Sequence, residues 1–169
     1  MKKIYAIFAA LMALLFLSGC EDKKIKLITF HVANPREVSY GISRTQLTMP
    51  ASGFSLAVSN DQFMYSGDLT EVKPAQITLP DGKKEVGFLF IGDQRGALRL
   101  YHVTGGNLGG YIVVRYDGQP IAVRKIDCAI SDGVLFAVSE LPEGEDMFKY
   151  IEDMNRDIKD INEYKLKIK

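Results

Sequence analysis

Residues 111–126 read YIVVRYDGQPIAVRKI, a stretch in which Asp117-Gly118 separates two apolar runs. An Asp-Gly pair between such runs predicts a β-hairpin, because glycine accepts the positive φ of a tight turn. The same pattern occurs upstream, where Pro80-Asp81-Gly82 separates residues 76–79 from residues 85–91. Successive hairpins of this kind predict a mainly antiparallel sheet.

Further strands are expected on both sides of these hairpins. Residues 134–138 follow an Asp132-Gly133 turn, and residues 25–32 form an apolar run near the start of the chain. From residue 54 to residue 58, apolar side chains alternate with small or polar ones, which predicts a strand with one buried face. Residues 34–51 are polar and predict an irregular connection with at most one weak strand.

Helical patterns complete the expected fold. Asp68 can cap a short helical turn over residues 68–72, and Asp93 can cap a helix over residues 93–103. The sequence TGGN at residues 104–107 is typical of the end of that helix. The expected fold class is α+β, a mainly antiparallel sheet of hairpins with one packed central helix and a C-terminal amphipathic helix.

The last helix is expected to start at Pro142 and to run to about Tyr164. Its apolar residues fall at alternating steps of four and three, which is the stripe of a heptad, and its other faces are charged. One interpretation is an amphipathic helix packed on its own sheet. The alternative is that the distal half projects and associates with a second copy. The stripe consists of Met147, Ile151, Met154, Ile158 and Ile161.

The start of the chain has the features of a secretory signal. Lys2 and Lys3 precede an apolar stretch over residues 4–16, and Leu17-Ser18-Gly19-Cys20 follows. A basic start, a short apolar core and small residues at the cut define such signals. The ending resembles the lipobox of bacterial lipoproteins. That resemblance implies that Cys20 carries acyl chains, palmitate among them, and becomes the first residue of an anchored mature chain.

A transmembrane helix is the alternative interpretation of this segment. The apolar run is shorter than the roughly 20 residues that a bilayer core requires, and the charged residues 21–24 follow at once. We therefore expect a lipid-anchored chain of the bacterial envelope that faces the periplasm, in either the inner or the outer membrane. The chain divides into a signal peptide over residues 1–19, a tether and irregular segment with one strand over residues 20–53, and an α+β domain over residues 54–169.

Charge argues against nucleic acid as a partner. The whole chain has 21 basic and 21 acidic residues, and removal of a signal that contains Lys2 and Lys3 leaves 19 basic ones. Nucleic-acid binding usually requires a clustered basic face, which this balance does not suggest. A membrane, reached through the acyl chains on Cys20, and a protein or peptide are the expected partners.

Cysteine usage agrees with the lipid anchor. If Cys20 is acylated, Cys128 has no intramolecular partner. Residues 126–130 have the pattern of a strand, so Cys128 is predicted to be a small buried apolar filler. The alternative is an intermolecular disulfide or a reactive thiol.

Catalytic and cofactor motifs are absent from the sequence. His31 and His102 fall on different elements without metal-ligand spacing, and no nucleophile elbow, zinc-protease motif or Cys-x-x-Cys motif occurs. A pair of Cys128 with either histidine is the remaining arrangement for an enzyme. The glycine-rich residues 105–110 lack the Gly-Lys-Ser/Thr ending of a phosphate loop and follow a helix, so they predict a turn. We expect no catalytic residue, no metal site and no cofactor.

Several short motifs occur in order between Gly67 and Gly133. They are GDLTEV at 67–72, KEVGFLF at 84–90, GALRLYHVTGGNLG at 96–109, the hairpin 111–118, and residues 121–133 with Ile126, Ile130 and Gly133 as Ile-x-x-x-Ile-x-x-Gly. Their order and spacing resemble the first periplasmic head domain of SecD-type protein-export subunits. The resemblance covers about half of the chain and implies an α+β head that binds extended or partly folded polypeptide.

The sequence also departs from that family. SecD subunits have transmembrane helices that couple proton flow to export, and no second apolar run of spanning length occurs here. Arg124 stands where many members have proline, and the N-terminal third matches nothing in the family. We therefore expect a non-enzymatic accessory lipoprotein that interacts with exported polypeptides or with the export machinery. The alternative is a structural or assembly lipoprotein that docks on an envelope complex through its last helix.

Overall fold

Eight strands and two helices occur in the computed structural model, which describes residues 24–35 and 43–168. The strands are β1 Ile28–Asn34, β2 Arg44–Thr48, β3 Ser55–Tyr65, β4 Leu69–Thr78, β5 Lys84–Gly92, β6 Tyr111–Tyr116, β7 Gln119–Lys125 and β8 Val134–Ser139. The helices are α1 Gln94–Gly106 and α2 Met147–Ile168, and a 3-10 turn occupies Ser66–Asp68. The predicted α+β class is confirmed.

All eight strands belong to one antiparallel sheet in the order β2-β3-β1-β6-β7-β8-β5-β4. The predicted hairpins β4–β5 and β6–β7 are present, and Asp117 and Gly118 turn the latter with φ values of 50° and 81°. The described part of residues 24–53 contributes β1, as predicted, and β2, which is the weak strand that the sequence allowed within residues 34–51. The edges of the sheet are therefore β2 and β4.

The larger hydrophobic core lies between the sheet and the two helices. Phe30 and Phe90 meet edge to face at its centre, with ring centroids 5.2 Å apart. Leu100 from α1, and Met154 and Ile158 from α2, are buried against these strands. A smaller core on the opposite face of the sheet is formed by Ala33, Met49, Leu56, Val58 and Val113.

Helix α1 is held tightly against the 3-10 turn. Its predicted N-cap is confirmed, because the Asp93 carboxylate accepts hydrogen bonds from the backbone N–H groups of Arg95 and Gly96, at 2.9 and 2.8 Å. A Cβ atom at Gly96 would collide with the backbone carbonyl of Asp68, so only glycine allows this approach. The helix continues to Gly106, beyond the predicted end, and the hydroxyl of Thr104 accepts from Ile130 N at 2.8 Å.

Two predicted helical boundaries are wrong. Residues 69–72 belong to strand β4 rather than to a helical turn, because Leu69 and Val72 are buried in the larger core and pair with β5. Helix α2 begins at Met147 rather than at Pro142. Gly144 has a φ of 89°, which a right-handed helix cannot include, and Asp146 Oδ1 accepts from Phe148 N at 2.9 Å.

Candidate functional site

The edge of the sheet at β4 is covered by a side chain from α2. Asn155 Oδ1 accepts a hydrogen bond from Val72 N, and Asn155 Nδ2 donates one to Val72 O, both at 2.8 Å. The carboxamide thus takes the place that a neighbouring strand would occupy. Asn162 Nδ2 adds a bond of 3.1 Å to Leu69 O, so α2 covers the first part of this edge.

Further along β4, the sequence itself blocks the edge. Residues on an antiparallel strand alternate between bonding their neighbour and pointing away, so Pro74 and Gln76 share the outward orientation of Val72. Pro74 has no N–H group to offer to another strand. Lys73 and Glu71 form an ion pair at 2.9 Å beside it. Proline and charged residues are the usual means of preventing edge-to-edge pairing.

At the other edge, no side chain among the described residues bonds the outer backbone of the short strand β2. Asn60 N bonds Ser43 O at 3.1 Å and Met49 N bonds Phe54 O at 2.8 Å, so Ser43 and Met49 face β3. Alternation then directs the backbone groups of Arg44, Gln46 and Thr48 away from the sheet. Within residues 24–35 and 43–168, no hydrogen bond to these outward backbone groups is present. Nothing in residues 24–35 and 43–168 therefore covers the outer side of β2.

A cleft of about 330 Å³ opens where β7 and β8 diverge. These strands pair only through Ala122 with Ser139 and Val123 with Val138, and the connection after β7 leaves the sheet. The walls of the cleft combine apolar and polar side chains, including Ile77, Ile130, Phe136, Arg124 and Cys128.

Cys128 lies in this cleft and is exposed, so the predicted burial is wrong. The predicted strand at residues 126–130 is absent because Ile126 leaves the β6–β7 ladder and bonds Gly109 and Gly110 instead. Ile130 then packs toward the larger core and bonds Thr104 on α1. Disulfide formation between copies and reactivity of the thiol stay predictions.

The two histidines have different surroundings. His31 is buried, its Nδ1–H donates to Ser59 O, and its Nε2 accepts from the hydroxyl of Thr29, both at 2.9 Å. Burial lowers the pKa of His31 below its usual value, and hydrogen bonding to Ser59 opposes that effect only in part. His102 is exposed on α1 beside Tyr101. Both ring nitrogens of His31 are engaged with β-strand groups, and the pairing of Cys128 with a histidine stays a prediction.

The apolar stripe of α2 faces the sheet of its own chain. Ile151, Met154 and Ile158 are buried in the larger core, and Met147 packs against it, as the first interpretation predicted. The distal half does not project, because Asn162 and Lys165 bond to Leu69 and Gly67. Self-association of copies stays untested, and four of the five stripe residues are already occupied within the chain.

The signal and Cys20 lie outside the described residues. Among residues 24–35 and 43–168, no helix is long and apolar enough to cross a membrane. In the same part of the chain, no group of three or more His, Cys, Asp or Glu side chains could hold a metal ion.

Comparison with solved structures finds similar folds in SecDF. One is a membrane component SecDF that enhances protein export, 14% identical, with a TM-score of 0.49 over 89% of this chain and 67% of that chain. Another is SecDF in a super-membrane-facing form, 13% identical, with a TM-score of 0.48 over 80% of this chain and 19% of that one. This likeness concerns the fold alone. No family model and no curated protein matches the chain.

Proposed function

We propose that this chain is a lipid-anchored, non-enzymatic protein of the bacterial envelope that binds extended polypeptide at strand β2. The supporting observation is the contrast between the two edges of the sheet. Asn155 and Pro74 obstruct the β4 edge, whereas the outward backbone groups of Arg44, Gln46 and Thr48 have no partner in the described part of the chain. An incoming segment would add a ninth strand.

Strand addition suits a partner of variable sequence. The affinity comes from main-chain hydrogen bonds, which every residue except proline can make. Thr45, Gln46 and Thr48 on β2 are polar and exposed. They therefore form no deep pocket that would select one particular side chain of the partner. The motifs that resemble the SecD head motivate exported polypeptides as the class of partner.

The proposed anchor is the acylated Cys20. The basic start, the apolar core and the Leu17-Ser18-Gly19-Cys20 ending support it. Mass spectrometry of the mature N-terminus tests it directly, with the Cys20→Ser chain as control. The acyl mass and recovery in the membrane fraction should both be lost in that variant. A wild-type chain that keeps residues 1–19 or bears no lipid would overturn the anchor.

The strand-addition test uses a matched pair of proline variants. Gln46→Pro removes an outward N–H from β2, and Gln76→Pro makes the same change on the obstructed β4 edge. The probe is a fluorescent, permanently unfolded polypeptide, and its anisotropy reports binding. We expect Gln46→Pro to weaken binding by about tenfold and Gln76→Pro to leave it unchanged. Equal losses, or no binding by the wild type, would contradict the proposal.

Photocrosslinking in cells separates this role from docking through the last helix. Truncation from Asn155 is unsuitable, because it would remove Ile158 from the core. A photoreactive residue at Thr45 reports the β2 edge, and one at Phe148 reports the outer face of α2, where this side chain is 69% exposed. Adducts from Thr45 support strand addition, whereas adducts from Phe148 alone favour docking of the helix.

A further inference from the structure

Two short segments combine lysines with exposed apolar side chains. Residues 24–27 read Lys-Ile-Lys-Leu, and residues 164–167 read Tyr-Lys-Leu-Lys. Ile25 and Leu27 are 39% and 46% exposed, and Tyr164 and Leu166 are 65% and 74% exposed. Side chains of this kind, basic and apolar in alternation, suit the interface between a bilayer and water, where lysine stems and aromatic rings lie at head-group level.

The fold brings these segments to the same 3-10 turn. Directly after the first segment, Ile28 N donates to the hydroxyl of Ser66 at 2.7 Å. From the second segment, the ammonium group of Lys165 donates to Gly67 O and lies 5.0 Å from the centre of the Tyr65 ring. We call residues 24–27 and 164–167 together the anchor-end surface.

The length of the tether keeps this surface close to the proposed lipid. Lys24 follows Cys20 by four residues, which span at most about 14 Å when fully extended. Acyl chains on Cys20 would therefore hold Lys24 within that distance of the outer boundary of the bilayer, and Leu27, seven residues from Cys20, within about 25 Å of it. This step rests on the anchor proposed above, whereas the composition and placement of the surface do not.

Charge at the anchor-end surface is mainly positive. Lys26 lies over the Tyr116 ring, and Lys24 has Asp117 at 3.8 Å. Lys167 is exposed and has no ion pair among the described residues. Arg95 and Asp93 both line a cleft of about 420 Å³ with Lys165 and Leu166, so Lys165 supplies the net positive charge of this cleft.

Acidic groups also lie near this surface and offset part of its positive charge. Glu163 on α2 pairs with Lys159 at 4.0 Å, and Asp93 caps α1 through its carboxylate. Asp117 faces Lys24 directly. The balance favours contact with the anionic phosphates of phospholipid head groups.

We propose that the anchor-end surface binds the surface of a bilayer that contains anionic phospholipid. Leu27 and Leu166 enter the head-group region, and the exposed Lys24, Lys26 and Lys167 contact lipid phosphates. The lipid on Cys20 and this surface then act as two membrane signals on one end of the domain. The domain is thereby held in one orientation on the membrane, instead of turning freely on its tether.

The test uses the mature chain, residues 20–169, with Cys20→Ser, so that no acyl chain contributes. Its binding is measured by co-sedimentation with vesicles of phosphatidylcholine alone or with added phosphatidylglycerol. We expect binding to the anionic vesicles, weakening at high salt, and about a fivefold loss for Lys167→Gln. Leu166→Ser should also weaken binding, and its unchanged circular dichroism spectrum would show that this exposed position does not affect the fold.

The matched control is Lys83→Gln, the same change of charge at the exposed tip of the β4–β5 hairpin. Binding that this variant lowers as much as Lys167→Gln would overturn the proposal, as would equal or absent binding to the two vesicle types. The proposed lipid on Cys20 is tested separately, by the mass of the wild-type N-terminus, so the two proposals can fail independently. A chain without lipid at Cys20 can still bind these vesicles.

Discussion

The side-chain amide of Asn155 bonds both backbone groups of Val72 at 2.8 Å, as the backbone of a neighbouring strand would. The two residues are 83 positions apart, so the contact also fastens the last helix to the edge of the sheet. Replacement of Asn155 therefore has two expected effects, one on stability and one on association.

Asn155→Leu should lower the free energy of unfolding by about 1–3 kcal/mol, because the donor and the acceptor of Val72 lose their partners. The exposed edge should also promote concentration-dependent association of copies. Urea denaturation and light scattering measure the two effects. Lys159→Leu, which adds the same side chain at an exposed position of α2, should show neither; a similar result for both variants would contradict the role of Asn155.

Tyr116 on β6 and Asp157 on α2 form a buried pair, in which the phenol donates to the carboxylate at 2.6 Å. Burial, and next the hydrogen bond to Asp157, raise the pKa of Tyr116 above its usual value, which favours the phenol as the donor. Tyr116→Phe should reduce stability by about 1.5–3 kcal/mol, because it leaves a buried carboxylate without its donor. Urea denaturation measures the loss. In a double variant with Tyr116→Phe and Asp157→Leu, part of the lost stability should return, because the unpaired carboxylate is gone. A double variant that is less stable than Tyr116→Phe alone would argue against this explanation.

The buried His31 predicts a pH dependence of stability. Its pKa is lowered in the folded chain, so the unfolded chain binds a proton first as the pH falls. The contribution of neutral His31 to the free energy of unfolding is fully present above the usual histidine pKa. It declines as the pH falls below that value and levels off below the pKa of His31 in the folded chain. His31→Gln should flatten that part of the profile measured by denaturation between pH 7 and 5. The exposed His102→Gln is the control, and an unchanged slope in His31→Gln would rule out this source.

Gly96 permits helix α1 to approach the 3-10 turn. Gly96→Ala should destabilise the chain by about 1–3 kcal/mol, because the new methyl group meets the carbonyl of Asp68 rather than a flexible side chain. Gly106→Ala, in the same helix, has open space around the added Cβ and should be neutral or up to about 1 kcal/mol more stable. Thermal unfolding of both variants distinguishes steric conflict from helix propensity.

The exposed thiol of Cys128 should react with a maleimide in the native chain, at a rate close to that in urea. A buried filler would instead react only after unfolding. Mass spectrometry after timed labelling gives the rate, and a non-reducing gel shows whether oxidation links two copies. Protection of the native thiol would favour the burial that the sequence suggested.

Local features were predicted best from the sequence. The Asp117-Gly118 turn and the Asp93 cap depend on neighbouring residues, so both could be located before the structure was known. The sequence could not show which strands form the edges of the sheet, because strand order follows from packing between distant segments. Cys128 shows the same limit: residues 126–130 have the composition of a strand, yet their hydrogen bonds to Gly109 and Thr104 take them out of the sheet.

Strand β1 lies inside the sheet, between β3 and β6, and it is the strand that follows the proposed lipid most directly. A pulling force applied at Cys20 would thus act on a strand that is bonded on both sides. An edge strand can separate from its single neighbour by breaking one hydrogen bond after another. Separation of β1 would require its hydrogen bonds to both β3 and β6 to break. If the chain is anchored as proposed, the position of β1 would therefore give the domain mechanical resistance where the tether enters the fold.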